Sequence, residues 1–358
     1  MNDQTSRRTA LKYLIGVVVS AMGTRVFANS EQMPLSAPFS NRAFPIALGQ
    51  HVGVSDAAMP LQPAALAGSP TPTNFQRVYT DPKLRDRFYL FLQNVYHLYP
   101  ENRFHQLILD LTAEYQTDQE IYQKLQARLP PIKPVLYQVT YGLPSLQKQK
   151  DEMARQTAEL LGTTRSVKGY VEIGTTGRYV NGLRQRVSIE GPIYLVNDQE
   201  PAYSLEDIFE RGQVTKSGDY VPLGNYDAFA PTYIPAESID LVTNFIGFHH
   251  APADRLEQFV QSIWNVLKPG GRMVVRDHDV DSTDMDAFVA LAHDVFNAGL
   301  DLSWEQNHAQ IRNFRSVPQL TAYLEKAGFE RAEPLLFQDH DPTRNALMMF
   351  VKPGARTA

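Results

Sequence analysis

The sequence predicts an α/β chain, in which a helical region is followed by a mostly parallel sheet covered by helices on both faces. Three observations carry this prediction. From Val167 onward, short apolar runs alternate with helical patterns, as in a parallel sheet whose crossovers are helices. From Phe75 to about Leu161 the apolar residues instead recur at three and four, with no strand-like alternation. Each apolar run of the second half also ends in a polar cluster, and in parallel sheets ligands sit beyond the carboxyl ends of the strands.

Taken from the amino terminus, "SRRTALKYLIGVVVSAMGTRVFA" has the paired Arg7 and Arg8, an apolar run from Leu14 to Val19, and Val26-Phe27-Ala28 with small residues at the cleavage positions. This is the anatomy of a signal peptide, 1–28. "SRRTALK" resembles the twin-arginine export motif, with Ser6, Arg7, Arg8, Leu11 and Lys12 on pattern and Ala10 where phenylalanine is common. That resemblance implies the twin-arginine export machinery as a partner and a periplasmic or exported protein. Cleavage is expected after Ala28 and would leave no stable transmembrane domain, because the apolar run is shorter than the roughly 20 residues of a span. An uncleaved signal would instead anchor the chain to the inner membrane.

Residues 29–73 form a Pro/Ala-rich linker ("MPLSAPFSNRAFPIALG", "LQPAALAGSPTPT") without sustained periodicity. The helical cap region, 74–165, shows the spacings Phe88, Leu92, Val95, Leu98 and Leu107, Leu111, Tyr115, punctuated by Asp81-Pro82 and "LPPIKP". Its aromatics, Phe88, Tyr89, Phe91, Tyr96 and Tyr99, read as core.

The strands then follow in order: "GYVEIG", "GPIYLVND", "DYVPLGN", "SIDLVTNFIGF" and "GGRMVVRDHD", with "PADRLEQFVQSIWNVLKPG" as the helix before the fifth, ended by Pro269. "FERAEPLLF" and "NALMMFVKP" read as a closing hairpin linked by "QDHDPTR". Composition sets outer bounds. A length of 358 residues with 43% hydrophobic content suits about two domains with a sizeable core. The net charge of -5 gives no general attraction to phosphate, so no nucleic-acid partner is expected. The absence of cysteine excludes disulfides, thiolate metal sites and a cysteine nucleophile.

The glycine turn "VEIGTTGRYV" is a weak signal alone, because Thr176 stands where a further glycine would complete a dinucleotide fingerprint. Context is stronger: Glu172, Gly174 and Gly177 on the first strand and turn, Asp198 ending the second strand, Asp227 after the third, Asp240 opening the fourth, and "LKPGG" before the fifth. This ordered set resembles the class I S-adenosylmethionine-dependent methyltransferases over roughly the last half of the chain, most specifically from Ile239 to Val280. The resemblance implies a methyltransferase domain, 166–358, with a Rossmann-like seven-stranded mostly parallel sheet and a C-terminal antiparallel hairpin. It implies S-adenosylmethionine as cofactor and a small-molecule acceptor. Glu172 would lie near the cationic amino end of the cofactor, Gly174 and Gly177 would let backbone amides meet its carboxylate, Asp198 would accept from the ribose, Asp227 with Ala228 would meet the adenine, and Asn244 and Phe245 would border the sulfonium.

"HH" (His249-His250) and "RDHD" (Arg276 to Asp279) end neighbouring strands. His249, His250, Asp277 and His278 are the catalytic candidates, as general base or substrate orienter. Imidazole and carboxylate also suit a divalent metal, and strand capping is the plainer alternative; no residue is assigned to a metal here. "DLSWEQNHAQIRNFRS" is a candidate lid, with Trp304, His308 and Arg312 as substrate contacts. A second functional reading stays open: an exported non-catalytic binding protein on a degenerate methyltransferase fold, since S-adenosylmethionine is made in the cytosol.

Overall fold

A computed structural model describes residues 73–96, 99–133 and 143–354. The expected signal peptide, the linker up to residue 72, and the end of "LPPIKP" lie outside the described residues. Among the described residues no helix is long and apolar enough to cross a membrane.

The first helices are α1 (Asn74–Thr80), α2 (Pro82–Phe91) running into a π turn (Leu92–Tyr96), α3 (Glu101–Glu114) and α4 (Asp118–Arg128). Their starts are written in the sequence. The Thr73 hydroxyl accepts from the Gln76 amide at 3.2 Å, and the Asp81 carboxylate caps α2, whose first position is Pro82. After α5 (Leu143–Leu161) come β1 (Ser166–Ile173), α6 (Val180–Arg184), β2 (Ser188–Asn197), α7 (Leu205–Arg211), β3 (Asp219–Pro222), β4 (Ile239–Asn244), α8 (Leu256–Val266) and β5 (Leu267–His278). The chain continues through α9 (Thr283–Gly299), α10 (Trp304–His308), α11 (Val317–Lys326), β6 (Glu330–Phe337) and β7 (Asn345–Val351).

The seven strands form one sheet in the order β3-β2-β1-β4-β5-β7-β6. β1 to β5 are parallel, and β7 runs antiparallel to both β5 and β6. The expected Rossmann-like sheet with its closing hairpin is therefore present. The order turns outward in both directions from β1 and β4, so their carboxyl ends mark the switch point where such sheets bind ligands.

One face packs under α8 and α11, joining Val171, Ile173, Val242 and Val275 to Phe259, Val260, Leu320 and Leu324. The other packs under α5 and α6, joining Tyr170, Leu195, Leu241 and Val274 to Met153, Leu160, Val180 and Leu183. Helices α1 to α4 gather with α9 in a third core, in which Phe88, Phe104 and Tyr122 meet Phe288, Leu291 and Val295. Burying each such side chain stabilises by about 1.5–3 kcal/mol. A helix apolar on every side must be covered on every side, and α9 is covered this way along nearly its whole length.

One boundary differs from the sequence reading. Helix α8 stops at Val266, before Pro269, and Lys268 to Gly271 already belong to β5. The Gly270 amide donates to the Lys352 carbonyl and the Lys268 ammonium pairs with Asp240 at 2.6 Å, so these residues are held by the sheet rather than by a loop.

Candidate functional site

The turn after β1 is closed by its own side chains. Glu172 is buried, and its carboxyl accepts from the Tyr170 hydroxyl at 3.0 Å, the Tyr179 amide at 3.3 Å and the Thr175 hydroxyl. Burial raises its pKa above the usual range against these hydrogen bonds. The Thr175 hydroxyl oxygen accepts from the Gly177 and Arg178 amides at 3.3 and 3.2 Å. The amides expected to meet a ligand carboxylate are thus engaged by Thr175 and Glu172. Gly174 and Gly177 have φ of +87° and +101°, and a Cβ on Gly174 would fall 2.4 Å from the Ile246 side chain. Both glycines serve a tight turn, and at Gly174 the space is filled by protein. Thr176, which replaces a glycine of the fingerprint, is buried with its hydroxyl unpartnered.

The remaining cofactor candidates are spread along the carboxyl ends. Asp198, just beyond β2, reaches solvent; its carbonyl accepts from the Tyr220 hydroxyl at 3.3 Å, and partial desolvation raises its carboxyl pKa. Asn244, at the end of β4 and paired in register with Ile173 of β1, is fully buried with both amide atoms unpartnered. Phe245 is buried edge-on against Tyr179, with ring centroids 4.7 Å apart. Asp227 instead forms an exposed ion pair with Arg255 at 2.7 Å, and Ala228 beside it is exposed.

The catalytic candidates do converge. His249 and His250 lie in the turn after β4, and Asp277 and His278 close β5. His249 Nδ1 lies 2.6 Å from Asp277 Oδ1, while the Phe248 and His278 amides donate to the same carboxylate at 2.8 and 2.9 Å. Burial would raise the Asp277 pKa, but His249, His278 and these hydrogen bonds pull it down to about 2. His250 Nδ1 lies 3.2 Å from the Ile311 carbonyl, and His278 Nδ1 lies 3.0 Å from the Thr343 carbonyl. Burial lowers the pKa of His250 well below the usual value and that of His278 to about 4, so both are neutral. Asp279 is turned away, with its carboxylate on the Val317 amide and on Arg344.

A fourth imidazole joins them from α9. His293 is buried, with Nδ1 2.8 Å from the Val289 carbonyl and its ring 5.3 Å from His249, 5.5 Å from His278 and 5.7 Å from His250. The sequence reading missed it. Its signal was present in "ALAHDVFNAG", a single imidazole in a largely apolar helical run. Phe314 covers three of the four rings at 5.1–6.0 Å.

A cavity opens beside the cluster between the sheet and the first helices. Phe245, Arg276 and His278 contribute to its wall from the sheet side, and Phe91, Tyr96 and Lys148 from the helical side. The lid segment meets the cluster through Ile311 and Phe314, whereas its three expected substrate contacts lie elsewhere. Trp304 packs on Tyr122 and stacks on the exposed His308. Arg312 is locked to Asp294 at 2.7 Å and to Asn307. None of the three lines the cavity, because short-range packing on α4 and α9 takes them first.

The family model for a methyltransferase domain matches residues 146–333, more than half of the chain. No curated protein matches the sequence. Among solved structures, the chain is similar to a Burkholderia thailandensis 1,6-didemethyltoxoflavin N1-methyltransferase with bound 1,6-didemethyltoxoflavin and S-adenosylhomocysteine (14% identity, 58% of this chain and 79% of that one, TM-score 0.39). It is similar to an Aquifex aeolicus SAM-dependent methyltransferase (14%, 59% and 98%, 0.38) and to an O-methyltransferase family protein from Burkholderia thailandensis (11%, 79% and 73%, 0.42).

Proposed function

The chain belongs to the methyltransferase-domain family, and from that premise we propose that it transfers a methyl group to a small-molecule acceptor seated in the cavity beside β4 and β5. The methyl donor is S-adenosylmethionine, which supplies a methyl already activated on a sulfonium. The chain's residues fit it at the nucleoside and sulfonium sides: Asp198 offers a carboxylate suited to a ribose diol, and Asn244 and Thr176 bring buried polar atoms that have no partner among the described residues. Glu172 fits less well, since it is buried and three of its carboxyl's acceptor positions are already taken by protein donors. The observation that carries the reading is Asn244, a buried amide with four unmet hydrogen-bonding positions at the switch point of the sheet.

For the acceptor, the chain's task is alignment and removal of a proton where the nucleophile carries one. His278 suits this role. Its Nδ1 must carry the proton because a carbonyl cannot donate, which leaves the Nε2 lone pair on the neutral ring. Arg276 and Lys148 in the same wall favour an acceptor with an anionic group. The twin-arginine motif supports a proposal of export of the folded chain to the periplasm. Replacing Arg7 and Arg8 together by Lys should retain it in the cytosol, and an equal periplasmic yield would count against that route.

A non-catalytic binding protein on the same fold is a second reading, favoured by the self-closed turn at Glu172, Thr175 and Gly177. Calorimetric titration of the purified chain with S-adenosylmethionine and its demethylated product, followed by an acceptor screen, separates the two. Micromolar binding with methyl transfer supports the enzyme. Binding without turnover of any acceptor supports the second reading, and no binding by folded chain overturns the first.

A further inference from the structure

His249, His250 and His293 are each less than a twentieth exposed. Each gives Nδ1 to a group that can only accept: the Asp277 carboxylate, the Ile311 carbonyl and the Val289 carbonyl. Both Asp277 oxygens already accept a backbone N–H, from Phe248 and from His278, so the carboxylate faces His249 Nδ1 as an acceptor. Nδ1 therefore carries the proton in all three rings, and in the neutral form of each ring it is Nε2 that holds the lone pair. All three Nε2 atoms are buried without a hydrogen-bond partner among the described residues. One ring nitrogen from each residue lies within 4.8 Å of those of the other two. Three desolvated lone pairs brought together with no donor are costly, at about 1–3 kcal/mol for each unsatisfied group. A cation relieves that cost.

We propose that His249, His250 and His293 bind one divalent transition-metal ion of the zinc class through their Nε2 atoms, with an open coordination position toward the cavity. Three neutral imidazoles without thiolate are the ligand set that suits zinc and its neighbours, and three protein ligands leave a fourth position for water or substrate. The Nδ1 partners match how ligating histidines are held, by a carboxylate or backbone carbonyl that fixes the tautomer and aims the ring. Asp277 adds the one negative charge that the ion needs nearby. Gly247 lets His249 reach it, since a Cβ there would lie 2.5 Å from His249 Nδ1 and 3.0 Å from Asp277 Oδ1.

Zinc bonds of about 2.0–2.1 Å place tetrahedral ligand nitrogens about 3.3 Å apart, so the rings close by about 1.5 Å at the widest spacing when the ion enters. Phe314 covers the cluster and keeps bulk water from it. His278, with its ring 5.5 Å from both His249 and His293, stands on the cavity side as the next group a bound acceptor meets. An oxygen-donor group of the acceptor is the natural occupant of the open position. The site goes beyond the methyl-transfer reading and does not depend on it, because the ion can be titrated with neither cofactor nor acceptor present.

The test uses the untagged full chain, stripped with chelator, dialysed against Zn²⁺ and separately loaded with Co²⁺ for its visible absorption. One Zn²⁺ per chain and a cobalt spectrum of nitrogen ligation are expected. His293→Gln and His250→Gln should each weaken zinc by about 100-fold, in the upper range of losses seen even for partners behind the ligands, while His308→Gln on the exposed α10 keeps one ion per chain. Circular dichroism and denaturation midpoints check that the variants fold, and His250→Gln decides the ligand set if His293→Gln does not. A folded wild-type chain that binds no zinc, or zinc affinity unchanged in the folded Gln variants, overturns the proposal; a trapped water molecule alone would give the first of these results.

Discussion

His249 and Asp277 meet at 2.6 Å across the ends of two neighbouring strands, and they can do so because residue 247 has no side chain. Gly247 holds φ at +85°, and a Cβ there would sit 2.5 Å from the ring nitrogen that makes the contact. Gly247→Ala should therefore destabilise the chain by about 1–3 kcal/mol and part the pair. Denaturant midpoints together with the imidazole proton resonances of His249 check both effects; an unshifted His249 signal would mean the turn absorbs the methyl group elsewhere.

Asp198 separates binding from folding. Its side chain reaches solvent and no donor among the described residues is bonded to its carboxylate, so Asp198→Ala should leave the melting temperature unchanged. Affinity for the demethylated cofactor should fall by about 10-fold or more, the loss of one to two charge-assisted hydrogen bonds. Calorimetry on both proteins reads this directly, and equal affinities would remove Asp198 from the site.

Glu172 predicts a pH signature. Burial holds its folded pKa above the ordinary 4.5, so between those two values the native chain binds more protons than the unfolded one, and stability falls as pH rises through that window. Glu172→Gln does not titrate and can keep its partners, since the Tyr170 hydroxyl can turn to accept from the new amide. The stability of Glu172→Gln relative to wild type should thus increase from pH 5 to pH 8. Paired denaturation curves at the two pH values measure it; a constant difference would place the Glu172 proton at its ordinary value.

Arg312 and His308 were both expected at the substrate, and the structure assigns them differently. Arg312→Ala leaves Asp294 buried and unpaired, at a cost of about 3–5 kcal/mol, whereas His308→Ala changes an exposed ring and should stay within about 0.5 kcal/mol of wild type. Neither should alter the acceptor KM of protein that remains folded. A raised KM in His308→Ala would return the lid helix to the substrate site.

Much of the sheet was legible because most of its strands are short apolar runs ended by a glycine or a polar residue, and β1 to β7 all fall where the expected strands stand. The carboxyl-end histidines could be read for the same reason. Closure of the first turn could not be, since it depends on which way the Thr175 hydroxyl points. His293 was hidden differently: periodicity says that a residue on α9 is buried but not which imidazoles it meets, and those come from the turn after β4, 43 and 44 residues earlier in the chain, and from the end of β5, 15 residues earlier. The lid contributes the Ile311 carbonyl, a backbone atom that no side-chain pattern announces.

β7 hydrogen-bonds both β5 and β6, and among the described strands it is the last to be synthesised. Until it leaves the ribosome, β5 has an open edge and β6 has no neighbour, so the strand that ends in Asp277 and His278 is held from one side only. The end of β5 that carries Asp277 and His278 is accordingly held from both sides only after residue 351 emerges. Chains interrupted before that point would present a bare sheet edge to chaperones and proteases.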